Sequence, residues 1–207
     1  MQLYIIRHGQ STNNASLPRV VDPPLTPLGE EQSRRAAIAL QAVGLNALYA
    51  SPMRRALATA LPISEATGLP VRVNPDLCEE DGLGEHPGMT RDQIAAMLNN
   101  CLLPDSVTHQ GWWFRPPEGP EQVAARARLV ADHLQSLYLC SGGQRAAVVT
   151  HGTFASYLLR AFLGVSPDNR FHFFHNNAGI SLIEFRPDCL FLRHLNRLDH
   201  LRPELIT

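Results

Sequence analysis

Apolar residues recur along the chain with two periods, and segments of the two kinds alternate. Short apolar runs at 3–6, 47–50, 71–73 and 146–149 have the length of buried strands. Between them, helical spacing covers 29–42, 54–67 and 120–139, the last with Val123, Ala127, Val130 and Leu134 along one face. A further helix is expected after Gly152, running to Leu163 and stopped by Gly164. Two late strands, 180–185 and 190–195, join through Arg186, Pro187 and Asp188 and read as a hairpin. Strands and helices in this alternation predict an α/β domain with a mostly parallel sheet. The pattern breaks down between Gly82 and Pro117, where only 91–98 has helical spacing, among His109, Trp112, Trp113 and several prolines. That stretch, about 82–117, is expected to be a lid-like or substrate-facing insertion.

Composition narrows the function classes. No linker-like stretch divides the 207 residues, so 1–207 reads as a single domain. Eighteen basic residues against 19 acidic give a net charge of −1, which argues against a general nucleic-acid binder or a membrane-surface protein. Every basic residue is arginine, which removes Schiff-base, lysine-nucleophile and P-loop chemistry. No apolar run approaches the roughly 20 residues that span a bilayer. The first strand follows Met1 directly and leaves no room for a signal peptide. Cys78, Cys101, Cys140 and Cys189 lie far apart, without zinc or redox spacing, so the expectation is a cytoplasmic protein with reduced thiols.

Three clusters carry chemistry, each where an apolar strand runs out. The first is Arg7, His8, Gly9, Gln10 and Ser11, followed by Asn14. A strand-end imidazole can act as a nucleophile, and a neighbouring guanidinium offers a fixed fork for phosphate oxygens, while Gly9 would let the backbone approach an anion. The second cluster runs from Ser51 through Pro52, Met53, Arg54, Arg55 and Ala56. Successive helical positions are turned about 100° apart, so only one of the two arginines can face the site. The third is Thr150, His151 and Gly152, opening a helix whose first amides favour an anion. Each His-Gly pair alone would more often be structural; together with the arginines they converge on one electropositive pocket.

The ordered set resembles the histidine phosphatase superfamily, also called phosphoglycerate mutase-like, in its branch of small bacterial phosphatases. The matching motifs are Arg7 to Gly9, Leu25 and Thr26 before Gly29, Ser51 to Ala56, His151 with Gly152, and Asn177 before a late strand. The resemblance implies a three-layer α/β/α fold and a phosphomonoester phosphatase acting on a small phosphorylated metabolite, with no cofactor, no metal, and a homodimer as a common assembly. It implies His8 as the phosphorylated nucleophile, with Arg7, Arg55 and His151 binding the phosphoryl group and Asn14 assisting. Arg55, immediately before alanine, is selected over Arg54. The catalytic glutamate of the resemblance stands four residues before one glycine and eight before another, which from Gly84 and Gly88 selects Glu80. Its neighbour Glu79 stays open, because His86 and Pro87 depart from the family pattern in that loop.

Two rivals share the pocket: a cofactor-dependent phosphoglycerate mutase, and a catalytically silent phosphate-binding relative. The insertion carries only Arg91 and Arg115, fewer cations than the resemblance implies for a mutase. Trp112 and Trp113 could line a pocket or anchor a long loop on the core. His172 and His175 read as packing beside a strand, and the arginines of the 196–202 tail as solvated charge outside the site.

Overall fold

The computed structural model describes residues 1–15, 18–80, 82–139, 144–166 and 171–207. Cys140 lies outside the described residues; Cys78, Cys101 and Cys189 are free thiols. The chain folds as β1 (Gln2–Arg7), α1 (Pro27–Gln41), β2 (Ala47–Ala50), α2 (Arg54–Thr67), β3 (Val71–Val73), α3 (Arg91–Leu98), β4 (Cys101–Leu102), α4 (Pro120–Leu139), β5 (Arg145–Thr150), α5 (Gly152–Phe162), β6 (Ile180–Phe185) and β7 (Leu190–Arg197). The strands form one sheet in the order β4-β3-β2-β5-β1-β6-β7. From β4 to β1 every pairing is parallel, and the β6–β7 hairpin closes the other edge antiparallel.

The period of two sorts the central strands into two cores. Leu3 and Ile5 of β1 pack with Val148 of β5 against α4 and α5, while Ile6 and Val149 pack on the opposite face against α1 and α2. Both faces of β1 are therefore dry, which is why its sequence is continuously apolar rather than alternating. The α4 stripe expected from spacing, Val123, Ala127, Val130 and Leu134, is buried in the first of these cores. No helix among the described residues is long and apolar enough to cross a membrane.

The irregular stretch holds one strand that the pattern does not show, and a helix where its spacing predicts one. The 82–117 stretch supplies β4, a two-residue strand too short to leave a periodic signal, and α3, whose Ile94 and Leu98 enter the core beneath α2. Trp112 and Trp113 are buried in that core as anchors. The Trp113 indole N–H donates to Gly84 O at 2.9 Å, and Gly82 and Gly88, both at positive φ, sit so close to the two rings that a Cβ on either would overlap them.

The chain leaves β1 under tight constraint. Gly9 does not open the backbone to an anion as expected: its N–H donates to Thr59 Oγ1 at 3.0 Å. Its lack of a side chain instead admits α1, since a Cβ there would stand 2.3 Å from Gly29 O and 2.9 Å from Ser33 Oγ. Thr26 caps that helix by accepting from Gly29 N at 3.1 Å. Gly9→Ala is expected to push α1 away and cost about 1–3 kcal/mol by overpacking. A urea titration checks this: the midpoint should fall with an unchanged slope, and an unmoved midpoint would show that α1 yields freely.

Candidate active site

Parallel register brings three strand ends to one edge. Arg7 of β1 stands opposite Thr150 of β5, and Ala50 of β2 opposite Val149. The next residues, His8, His151 and Ser51, emerge side by side, with His8 N donating to Thr150 O and Ser51 N to Val149 O. From neighbouring β1 and β5 the chain departs to opposite faces, into α1 and α5. That divergence opens a crevice where ligands bind in α/β sheets.

His8 is 3 % exposed, and its Nδ1 lies 2.7 Å from Gly9 O. A carbonyl only accepts, so Nδ1 carries the proton and Nε2 keeps a lone pair. The partner of Nε2 agrees, because Arg55 Nε, an obligate donor, points at it from 3.1 Å. Burial first, then the charges of Arg55 and Arg7, holds the His8 pKa well below the usual histidine value. The imidazole is thus neutral, with its lone-pair nitrogen facing a guanidinium. Arg54 is turned to solvent, and only its backbone N–H is engaged, donating to Asp22 Oδ1 at 2.8 Å.

Arg7 donates from NH1 to His175 O at 2.6 Å, while its Nε is buried without a partner. His151 is completely buried, its ring 5.1 Å from that of His8 and its Nε2 2.8 Å from Ser51 Oγ. Its Nδ1 also lacks a partner. Unsatisfied buried nitrogens are rare in folded proteins, and these two, on the residue next to His8 and on the ring lying near its own, are places where a polar ligand would find donors. Burial, then Arg55, His8 and Arg7, pushes the His151 pKa well down. Asn14 stands at the rim, where its Oδ1 accepts from Ser11 and from Asn177 Nδ2, so its amide nitrogen is the end turned away from them. Asn177 Nδ2 also donates to His8 O at 3.1 Å.

Of the two adjacent carboxylates, the structure turns Glu79 to the crevice, while the glycine count selects Glu80. Glu79 accepts from Phe154 N at 2.8 Å and Thr153 N at 3.3 Å, at the first turn of α5. Its charge acts on Arg7. It also borders two cavities, ≈ 300 Å³ beside Arg7 and ≈ 310 Å³ beside Arg55. Glu80 lines neither of the two. The loop winds through Gly82, Gly84 and Gly88, all at positive φ, so spacing from its glycines does not report the direction of the carboxylates. What aims Glu79 is fixed on its other side. Thr150 Oγ1 donates to Leu77 O, and the buried Arg126 donates to Asp76 O and Cys78 O. Arg126 is itself held by Glu118 and lies 4.4 Å over the Phe154 ring.

Sequence reasoning missed Asp22, which pairs with Arg55 at 3.9 Å from a loop carrying no periodic signal. It missed the Glu118–Arg126 clamp, whose partners are eight residues apart and meet across the start of α4. The tail stays outside the cavity but braces its back: His200 lies 3.0 Å from Ala178 O, and Asn177 N donates to Thr207 O. His175 packs beside β6 through Ser181, whereas His172 stands in the cavity wall. Among the described residues, no three His, Cys, Asp or Glu side chains gather to hold a metal ion.

The sequence profile of the histidine phosphatase superfamily (branch 1) matches residues 3–198. A Hydrogenobacter thermophilus protein provisionally named phosphoserine phosphatase 2 is 30% identical over 97% of this chain and 98% of its own. A Yersinia enterocolitica protein provisionally named phosphoglycerate mutase GpmB is 28% identical, over 90% of this chain and 86% of its own. The solved mycobacterial glucosyl-3-phosphoglycerate phosphatase, in complex with VO3, superimposes with a TM-score of 0.67 at 27% identity, covering 94% of this chain and 98% of that one.

The buried imidazoles make folding sensitive to pH. His8, His151, His175 and His200 all have lowered pKa values, His175 to about 4, chiefly by burial. Between those values and the ordinary 6.5 the unfolded chain binds protons that the folded one refuses, so stability falls as pH drops below about 6.5. Asp22, raised by burial, works in the opposite direction with a single proton. The urea midpoint is expected to decline from pH 7 to pH 5; a flat profile would mean that these rings take up protons without unfolding.

Proposed function

The chain belongs to branch 1 of the histidine phosphatase superfamily, and from that premise we propose that it is a phosphoric monoester hydrolase. It acts on a small phosphorylated metabolite by way of a phosphohistidine at Nε2 of His8. The observation that carries this reading is the His8 ring itself, with one nitrogen committed to Gly9 O and the other facing Arg55.

Nε2 attacks phosphorus, and the bond from phosphorus to the ester oxygen breaks. Arg7, Arg55 and His151 surround the transferring group and offset charge on its equatorial oxygens, the largest contribution in phosphoryl transfer. Asn14 adds its amide nitrogen at the rim. Glu79, in place of Glu80, gives a proton to the departing alkoxide. It then takes one from the water that attacks the phosphohistidine, which releases phosphate and restores His8. Charge stabilisation is assigned to the two arginines, so no metal or cofactor is invoked. The 82–117 stretch would act as a wall of the cleft through Gly82 and Gly84, which border the Arg55 cavity. The separated thiols fit a cytoplasmic location, and the homodimer implied by the resemblance is open to sedimentation.

Phosphate release from monoesters is expected to persist in EDTA and to vanish in His8→Ala, with the variant's circular dichroism unchanged. Release without His8 would overturn the assignment. Glu79→Gln is expected to lower kcat by about 10²–10⁴-fold, the usual worth of a general acid, whereas Glu80→Gln should stay within a few-fold; the reverse order would restore Glu80. Supplied with 3-phosphoglycerate and 2,3-bisphosphoglycerate, the protein should release phosphate. Formation of the 2-isomer without net release would establish the mutase alternative instead.

A further inference from the structure

Beyond the phosphoryl site the cleft is walled by exposed apolar side chains on both sides. Phe174, 67 % exposed, lines the cavity beside Arg7, and Val20 and Val21, 48 % and 58 % exposed, line the one beside Arg55. Glu79 borders both, so a leaving-group oxygen positioned at that carboxylate has an apolar surface within reach either way. The Phe174 wall is tied to the site. Phe173 N donates to Ser156 Oγ of α5 at 2.9 Å, and His175 O receives the Arg7 guanidinium.

Charge on this surface is unfavourable to an anion. Among the described residues, the guanidiniums that line the two cavities are those of Arg7 and Arg55, which the hydrolase reading assigns to the phosphoryl group, and Arg55 already faces Asp22. A carboxylate on the leaving group would find no further guanidinium among the described lining residues, and in the Arg55 cavity it would meet Asp22. Of the imidazoles on the Phe174 side, His175 is buried against Ser181 and offers its carbonyl, already occupied by Arg7. His172 presents a planar ring beside the phenyl groups.

We infer that the substrate is a phosphomonoester of an uncharged, ring-bearing alcohol whose ring lies against Phe174, rather than one carrying a carboxylate next to the phosphate. The inference rests on the hydrolase reading above and deepens it. A cavity of ≈ 300 Å³ is at the lower end of small-ligand sites and takes a single ring system with its linker. The flat face of Phe174 supplies stacking area that a polar serine or glycerate moiety cannot use.

The probes are 2-phenylethyl phosphate, O-phosphoserine and 3-phosphoglycerate. The first two leave as primary alkoxides, so a difference between them reports binding rather than leaving-group reactivity. The intact protein is expected to show the highest kcat/KM with 2-phenylethyl phosphate, carried by a lower KM. Phe174→Ala should shrink its preference over O-phosphoserine by about 3- to 10-fold, the worth of one aromatic contact. Higher kcat/KM with either carboxylate substrate, or a preference that Phe174→Ala leaves unmoved, would overturn the inference. Turnover of none of the three would instead sink the hydrolase reading. Calorimetry on His8→Ala then decides the binding question alone: tighter 2-phenylethyl phosphate supports the inference, and equal or weaker binding rejects it.

Discussion

A single hydrogen bond, from Nδ1 of His8 to the carbonyl of the following glycine at 2.7 Å, underlies the chemistry. Because the acceptor is a carbonyl, it settles which ring nitrogen keeps its lone pair, and because it is intraloop it also sets the plane of the ring. It holds only while the 8–10 backbone keeps its course. That course is maintained by α1 lying on Gly9, by Thr59 receiving the Gly9 amide, and by Asn177 holding the His8 carbonyl. Sheet, helix and late loop thus act on one imidazole from three directions.

Electrostatics around that ring is a matter of burial as much as of charge. Two guanidiniums flank an imidazole held neutral by its surroundings, and low local polarity strengthens their pull on any anion that enters. Glu79 is aimed from behind. Arg126, buried with Glu118, holds the carbonyls just before Glu79, while the first amides of α5 receive its carboxylate. The first amides of the helix and the clamp together hold the Glu79 carboxyl group beside Arg7.

Much of this was legible along the chain. Strand-end His-Gly pairs at residues 8 and 151 stood out because an apolar run ending in chemistry is a local pattern, and helical rotation allowed only one of Arg54 and Arg55 to face the site, the family resemblance selecting the one before alanine. The boundaries of α2, β2, β3 and α4 matched their spacing because those elements bury one face or both. The two-residue β4 was invisible, since its pairing with β3 depends on the path of the whole 82–117 stretch. Asp22 was invisible too, being joined to Arg55 only through space.

By itself the amino-acid sequence determined the α/β alternation and marked the two strand-end His-Gly pairs and their arginines, because hydrophobic period and residue type act over a few neighbours. Tertiary structure alone decided which of two adjacent carboxylates enters the cleft, that the tryptophans anchor rather than line, and what character the cleft walls take. Each of these depends on the direction in which a side chain leaves an irregular backbone. In the 79–88 loop that direction is set by left-handed glycines, buried indoles and a clamp from α4, contacts between residues far apart in the chain.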